Sequence, residues 1–86
     1  MYTLGIKESV DRLFFRLAKK DPKQMTAVEK KIKQILANPH HFKPLRAPMQ
    51  HLRRVHVGSF VLVYSIDEKN KMVTIEDYAH HDSVYL

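Results

Sequence analysis

The dipeptide Asp21-Pro22 separates two helical patterns and leaves almost no chain between them. Asp21 suits an N-cap, Pro22 suits the first position of a helix, and Gln24 stands where a capping box requires Glu or Gln. Apolar residues recur at helical spacing on both sides of this junction. They are Val10, Leu13, Phe14, Leu17 and Ala18 before it, and Met25, Val28, Ile32, Ile35 and Leu36 after it. Two helices joined so closely should pack as an antiparallel hairpin, and we expect their apolar stripes to be buried against a sheet.

Local signals mark the helix ends and the strands. Ser9 has a hydroxyl that can cap the first helix, and the second helix should end at Asn38, before Pro39. Residues 2–6 alternate between apolar and polar or small side chains, which predicts a short strand ahead of the helices. Three further strands are predicted after the helices: Arg53 to Val57, Phe60 to Ile66, and Met72 to Ala79.

The order β-α-α-β-β-β predicts an α+β fold in a single domain spanning residues 1–86. We expect the N-terminal strand and the helical hairpin to pack on one face of a small, mostly antiparallel sheet. A two-residue turn at Gly58-Ser59 joins two of the strands in a β-hairpin, which we place near the centre of that sheet.

This turn fixes which side chains share a face of the hairpin, because pairing Val57 with Phe60 sets the register of both strands. The helices should cover the face formed by Val55, Val57, Phe60, Leu62 and Tyr64. The opposite face carries Arg54, His56, Val61, Val63 and Ser65. We expect this second face to be solvated, half cationic and half aliphatic. Arg54 and His56 would lie about 6 to 7 Å apart along the strand, a spacing that can bracket a phosphate.

The segment from Lys30 to Ile66 has no Asp or Glu, yet it contains seven Lys and Arg residues and four of the six histidines. The whole chain has a formal charge of +6. Such a field attracts polyanions, nucleic acid first among them, although a soluble protein that is merely rich in lysine has the same net charge. The absence of cysteine excludes disulfides and thiolate chemistry, and with no signal peptide or membrane span in the sequence we expect a cytoplasmic protein.

The chain also gathers titratable groups near its end, where His80 and His81 are adjacent. Neighbouring residues on a strand point to opposite faces, so only one of these histidines should join Arg54 and His56. The histidine pairs lack the i, i+4 spacing of helical metal sites, and no carboxylate completes an obvious set of ligands. The sequence therefore predicts neither a metal nor another cofactor.

The order of the elements, the block from Leu45 to Tyr64 and the ending His80-His81-Asp82-Ser83-Val84-Tyr85 together resemble the RelE/ParE toxin superfamily. The resemblance spans almost the whole chain. It implies the toxin of a type II toxin-antitoxin pair, which in the RelE branch enters the ribosomal A site and cuts mRNA without a metal. The implied partners are a cognate acidic antitoxin and mRNA on the ribosome, with contacts to rRNA and no membrane.

The resemblance also implies roles for individual residues. The catalytic set would be Arg54 as phosphate clamp, His56 and His81 as acid and base, and Tyr85 stacking on a base. The RNA-binding or phosphate-binding set would be Lys43, Arg46, Arg53 and His80. Val61 stands where active members commonly have arginine, and Lys43 stands at the acidic base position of the YoeB branch. The implied enzyme is an attenuated endoribonuclease.

Two other functions fit the same residues. A nonenzymatic module of this fold could bind RNA or an antitoxin, an interpretation that the valines at positions 61 and 63 favour. A ParE-like inhibitor of DNA gyrase is the other, and the retained His80, His81 and Tyr85 count against it because that branch generally lacks such an ending.

Overall fold

The computed structural model describes residues 1–83, and its elements follow the predicted order. They are β1 (Thr3–Ile6), α1 (Glu8–Lys20), α2 (Pro22–Ala37), β2 (Leu52–Val57), β3 (Phe60–Asp67) and β4 (Met72–His80). Within this part of the chain no helix is both long and apolar enough to cross a membrane.

The four strands form one mixed sheet in the order β1-β4-β3-β2. β1 runs parallel to β4, whereas β2 with β3 and β3 with β4 are antiparallel. The predicted central place of the β2–β3 hairpin is wrong, because β4 pairs with both β3 and β1 and so leaves β2 at the edge. The helical hairpin supplies the crossover that parallel strands require, and it connects the two edge strands.

The start of α2 confirms the signal at the helix junction. Asp21 is the N-cap, its Oδ1 accepts a hydrogen bond from the backbone N–H of Gln24 at 3.2 Å, and Pro22 takes the first helical position. The Gln24 side chain does not close a capping box. Its Nε2 instead donates to the carbonyl of Val57 at 3.2 Å and to the hydroxyl of Tyr78 at 2.7 Å, which ties α2 to the sheet.

The predicted cap of α1 is wrong. The helix begins at Glu8 with Lys7 as its N-cap, and no side-chain hydrogen bond caps it. The N–H of Lys7 still donates to the carbonyl of Ile75 at 3.0 Å, so the parallel pairing of β1 continues to the residue before the helix. With the strand and the helix this close, Ser9 lies inside the first turn. The end of α2 is as predicted, with Asn38 as its C-cap.

The main core lies between the helical hairpin and the sheet, as predicted. Its most buried side chains come from α2 and the central strands: Val28, Ile35, Leu62, Tyr64, Val73 and Ile75. The hydroxyl of Tyr64 donates to the carbonyl of Pro39 at 2.6 Å, which satisfies its one polar group. Burial raises the pKa of Tyr64 to about 12, so this tyrosine stays neutral and fastens the end of α2 to β3.

A second, smaller core lies on the opposite face of the sheet. Leu45 packs on Val61 and Val63 there, with Met49 and Leu52 at the margin. The predicted register is confirmed, with Gly58 at a φ of +63° in the turn, but the expectation of a solvated face is wrong for the two valines.

The segment between α2 and β2 buries these valines because it folds back along the edge strand. The N–H of Leu45 donates to the carbonyl of Leu52 at 2.8 Å, and the N–H of Arg54 donates to the carbonyl of Lys43 at 3.3 Å. These bonds hold the apolar side chain of Leu45 over the sheet. They also cover part of the outer edge of β2, which would otherwise present unpaired backbone groups.

Glu68, in the turn between β3 and β4, contacts two other segments of the chain and one residue of its own turn. Its Oε1 accepts from the hydroxyl of Tyr2 at 2.5 Å and lies 2.6 Å from Nε2 of His40. Its Oε2 accepts from Nζ of Lys71 at 2.8 Å. The hydrogen bonds from Lys71, Tyr2 and His40, in that order, lower the pKa of Glu68 to about 2.

Replacing Glu68 by Gln should therefore lower the Tm at neutral pH. A carboxylate whose pKa is lowered by folding stabilises the folded state at any pH above the pKa that it has in the unfolded chain. That contribution is present above pH 4.5 and is lost as the pH falls toward 2. The difference in Tm between wild type and Glu68→Gln, followed by circular dichroism, should narrow over this interval. Glu29→Gln, on the exposed side of α2, is the matched control. A difference in Tm that does not change with pH would contradict the assignment.

Candidate functional site

The outer face of the sheet places His56, Val61 and Ala79 in one row across three strands. His56 pairs with Val61, and Val61 pairs with Ala79. Arg54 lies two residues before His56 on β2, and since side chains alternate along a strand both project from this face. Arg54 and His56 are both exposed, as predicted, whereas Val61 on the neighbouring strand β3 is buried beneath Leu45.

The α2–β2 segment adds a second cation to this edge. Arg46 and Arg54 line one concavity of about 450 Å³, together with the prolines at positions 44 and 48. Lys43 is adjacent, since its carbonyl accepts from the N–H of Arg54. Guanidinium groups present paired donors that match phosphate oxygens. The structure therefore places Arg46 and Arg54 on one concavity, with the backbone of Lys43 beside Arg54. All three are residues that the sequence singled out.

Arg53 lies apart from this group. It pairs with Tyr64, and its Nη1 donates to the carbonyls of Phe42 at 2.5 Å and His40 at 3.3 Å. These bonds fasten the segment after α2 to the edge strand. The phosphate role of Arg53 stays a prediction, and the contacts of its guanidinium give it a structural role.

The two C-terminal histidines lie together instead of on opposite faces. Their ring centroids are 4.4 Å apart, and both rings contact Asp82. Nδ1 of His81 is 2.9 Å from Oδ1 of Asp82, and Nδ1 of His80 is 3.5 Å from Oδ2. The expectation of opposite faces is wrong because β4 ends at His80 and the chain then turns.

His81 is also held at the tip of the β2–β3 hairpin. Its N–H donates to the carbonyl of Ser59 at 3.0 Å. Since His56 is only two residues before Gly58, both His56 and His81 lie at the same end of the sheet as the hairpin turn.

Aromatic rings connect this end of the sheet to the main core. Tyr78 stacks on Phe60 with centroids 5.1 Å apart, and Phe60 meets the ring of His80 edge-on at 5.5 Å. Phe14 on α1 contacts the other side of Tyr78 at 5.4 Å. Burial raises the pKa of Tyr78, whose hydroxyl accepts from Gln24. This support and Asp82 were missed by the sequence reasoning, although the adjacency of Asp82 to two histidines was a usable signal.

The outer face also carries acidic side chains. Glu76 and Asp77 line a second concavity of about 490 Å³ together with Lys7, and Oε2 of Glu76 accepts from Oγ of Ser65 at 2.7 Å. Asp77 and Arg54 both pair with Val63, so Asp77 lies in the same row across the sheet as Arg54, two strands away. Tyr85, the predicted stacking residue, lies outside the described residues.

Comparison with known proteins decides the family. The family model described as "ParE toxin of type II toxin-antitoxin system, parDE" matches residues 1–85. The chain belongs to this family of toxins. Two relatives are similar over the whole chain. A protein from Methanosarcina mazei with no assigned function is 52% identical over 99% of this chain and 100% of its own length. A protein from Methanocaldococcus jannaschii named "Putative toxin RelE4" is 45% identical over 99% of this chain and 92% of its own.

Solved structures confirm the RelE/ParE fold of this toxin. The RelBE2 complex of Mycobacterium tuberculosis contains a chain of TM-score 0.76 and 24% identity, covering 93% of this chain and 98% of that one. A chain of the YoeB-YefM complex from Staphylococcus aureus gives 0.77 at 13% identity, over 94% and 98%. A chain of the DinJ-YafQ complex of E. coli gives 0.71 at 19% identity, over the full length of both chains.

Proposed function

We propose that this toxin is a ribosome-dependent, metal-independent mRNA endoribonuclease that inhibits translation. The observation that carries the proposal is the arrangement at one end of the sheet, where Arg46 and Arg54 border a concavity and His56 and His81 lie beside the hairpin turn. Cleavage through the 2′-hydroxyl of RNA needs a base for that hydroxyl, a cation for the phosphorane, and an acid for the leaving 5′-oxygen.

The residue types match these three needs. Guanidinium groups bind phosphate oxygens and stabilise the charge that develops on them. Histidine changes its charge between pH 5 and 8, so one imidazole can accept the proton while another donates one. Asp82 contacts Nδ1 of His81 at 2.9 Å, which orients the ring and leaves Nε2 for proton transfer. In this proposal Arg54 is the clamp, and His56 and His81 are the base and the acid.

The charge of the surface and the solved relatives support an antitoxin as the second partner. The RelBE2 and YoeB-YefM assemblies, whose chains share this fold, are toxin-antitoxin complexes. The toxin itself has a formal charge of +6, and the cationic concavity at β2 is open. An acidic partner chain would neutralise Arg46 and Arg54 and keep RNA away from the site.

The test is the replacement of Arg54 by Ala. We expect cleavage of mRNA on programmed ribosomes to slow by about 10²- to 10³-fold, the usual cost of losing one group that stabilises the transition-state charge. Arg54→Lys should retain part of the rate, because an ammonium keeps the charge and loses the paired donors. Lys69→Ala removes an exposed cation from the β3–β4 turn and is the matched control.

The mRNA cleavage assay, together with a gyrase supercoiling assay, separates the competing functions. Cleavage that is unchanged in Arg54→Ala contradicts the role of this residue. A wild-type toxin that leaves mRNA intact and blocks supercoiling by purified gyrase would replace the proposal with a ParE-like one. A toxin inactive in both assays that still binds RNA or an antitoxin would support the nonenzymatic module.

A further inference from the structure

We propose that His80, His81 and Asp82 form a binding site for a transition-metal ion, with Zn²⁺ as the fitting ion, and that zinc inhibits the toxin. One ligand atom from each residue lies within 4.8 Å of the other two. The zinc-to-ligand distance is about 2.0 to 2.2 Å for imidazole nitrogen and carboxylate oxygen, so ligand atoms around a tetrahedral ion lie about 3.3 Å apart. Nδ1 of His81 lies 2.9 Å from Oδ1 of Asp82, and Nδ1 of His80 lies 3.5 Å from Oδ2, so each imidazole nitrogen is near that separation from one of the two carboxylate oxygens.

The backbone and the rings around the site hold these ligands in place. The N–H of His81 donates to the carbonyl of Ser59 at 3.0 Å, and the N–H of Ser83 donates to the carbonyl of His80 at 2.8 Å. Phe60 supports the ring of His80 from the core side at 5.5 Å. The N–H of Asp82 donates to Nδ1 of His80 at 3.3 Å, a long hydrogen bond that a metal ion would replace. Binding therefore needs little rearrangement of the chain.

The donor set selects the class of metal. Two imidazoles and one carboxylate suit zinc and its neighbours in the first transition row, whereas Mg²⁺ and Ca²⁺ prefer oxygen ligands throughout. Three protein ligands leave a coordination position for water, since His81 and Asp82 are exposed. The sequence predicted no metal because the histidine pairs lack the i, i+4 spacing and no carboxylate completed an obvious set of ligands. The structure supplies that carboxylate, since Asp82 lies beside both His80 and His81.

The inhibitory effect rests on the proposed endoribonuclease function, whereas zinc binding itself does not. A metal ion takes the lone pair of the His81 ring and the carboxylate oxygen that orients it. His81 can then neither accept nor donate a proton in the cleavage step. Zinc is accordingly an inhibitor in this proposal, and the reaction itself requires no metal.

Isothermal titration of the chelator-treated, full-length toxin with ZnCl₂ tests the site. We expect saturable binding at one ion per chain. His81→Ala and Asp82→Asn should each weaken binding by at least about tenfold, since even the loss of an outer-shell partner typically costs that much. Both residues are exposed, so the variants should fold. His41→Ala is the matched control, because His41 also belongs to an adjacent histidine pair and is exposed.

Binding of Co²⁺, followed by its visible absorption, provides a second readout that does not depend on heat. No saturable binding of either ion, or equal affinity in wild type, His81→Ala and Asp82→Asn, would overturn the site. A ratio of two chains per ion would also overturn it, because the ligands would then come from two molecules. Zinc binding without any cleavage activity would leave the site standing and remove the proposed endoribonuclease function.

Discussion

Replacing Val61 by arginine should destabilise the toxin by about 3 to 5 kcal/mol rather than activate it. The resemblance to the superfamily implies the opposite, since it leads one to expect an arginine at this position. Val61 is only 1% exposed and packs with Leu45 and Val63. A guanidinium placed there would be buried without a partner, and an uncompensated buried charge typically costs that amount.

Urea unfolding followed by circular dichroism measures this effect. His56→Arg is the matched control, because His56 is the cross-strand partner of Val61 and is exposed, so the same charge enters the surface within about 0.5 kcal/mol. Val61→Ile tests packing alone and should cost about 1 to 3 kcal/mol by overfilling the small core. A Val61→Arg variant as stable as wild type, with faster mRNA cleavage, would show that valine marks an attenuated catalytic site.

In the proposed endoribonuclease, a cation at position 46 would take the place of the arginine that the resemblance implies at position 61. The segment after α2 brings Arg46 to the concavity that Arg54 lines, and it does so by placing Leu45 on Val61 and Val63. The same apolar contact that excludes a charge at position 61 therefore positions one at position 46. A guanidinium from the loop, beside the one on β2, can supply the phosphate contacts that a residue on β3 would otherwise make.

The elements that the sequence predicted are those that depend on neighbouring residues. The cap at Asp21, the proline that follows it and the two-residue turn at Gly58-Ser59 each follow from local backbone chemistry, and each was confirmed. The register of β2 on β3 followed in turn, because a two-residue turn leaves only one pairing.

The features that the sequence did not predict depend on distant contacts. Nothing in the proline-rich segment around Leu45 has a helical or alternating period, so no pattern showed that it folds onto β3. The order of the strands in the sheet likewise depends on which strand edges pair with each other, and these edges are distant in the sequence. The rings of His80 and His81 lie together because β4 ends at His80. If the strand continued by one more residue, the two side chains would point to opposite faces of the sheet.

His81→Ala should slow mRNA cleavage on the ribosome by about 10²- to 10⁴-fold, the usual contribution of a positioned acid or base. The folded state should be little affected, because His81 is exposed and the backbone bond from its N–H to Ser59 remains. The dependence of the rate on pH is the deciding measurement. Wild type should give a bell-shaped profile set by the proposed acid and base, and the variant should lose one limb of it.

His81→Arg separates proton transfer from charge. It introduces the arginine that the resemblance implies at this position and keeps a cation at the site, yet arginine does not release its proton near neutral pH. If His81 moves a proton, this variant retains substrate binding and loses the same limb of the pH profile as His81→Ala. If the His81→Arg variant instead cleaves mRNA as fast as wild type with an unchanged pH profile, residue 81 acts by its positive charge. Proton transfer would then belong to His56 and to another residue, and not to His81. His41→Ala, at an exposed histidine outside the site, should leave both the rate and the profile unchanged.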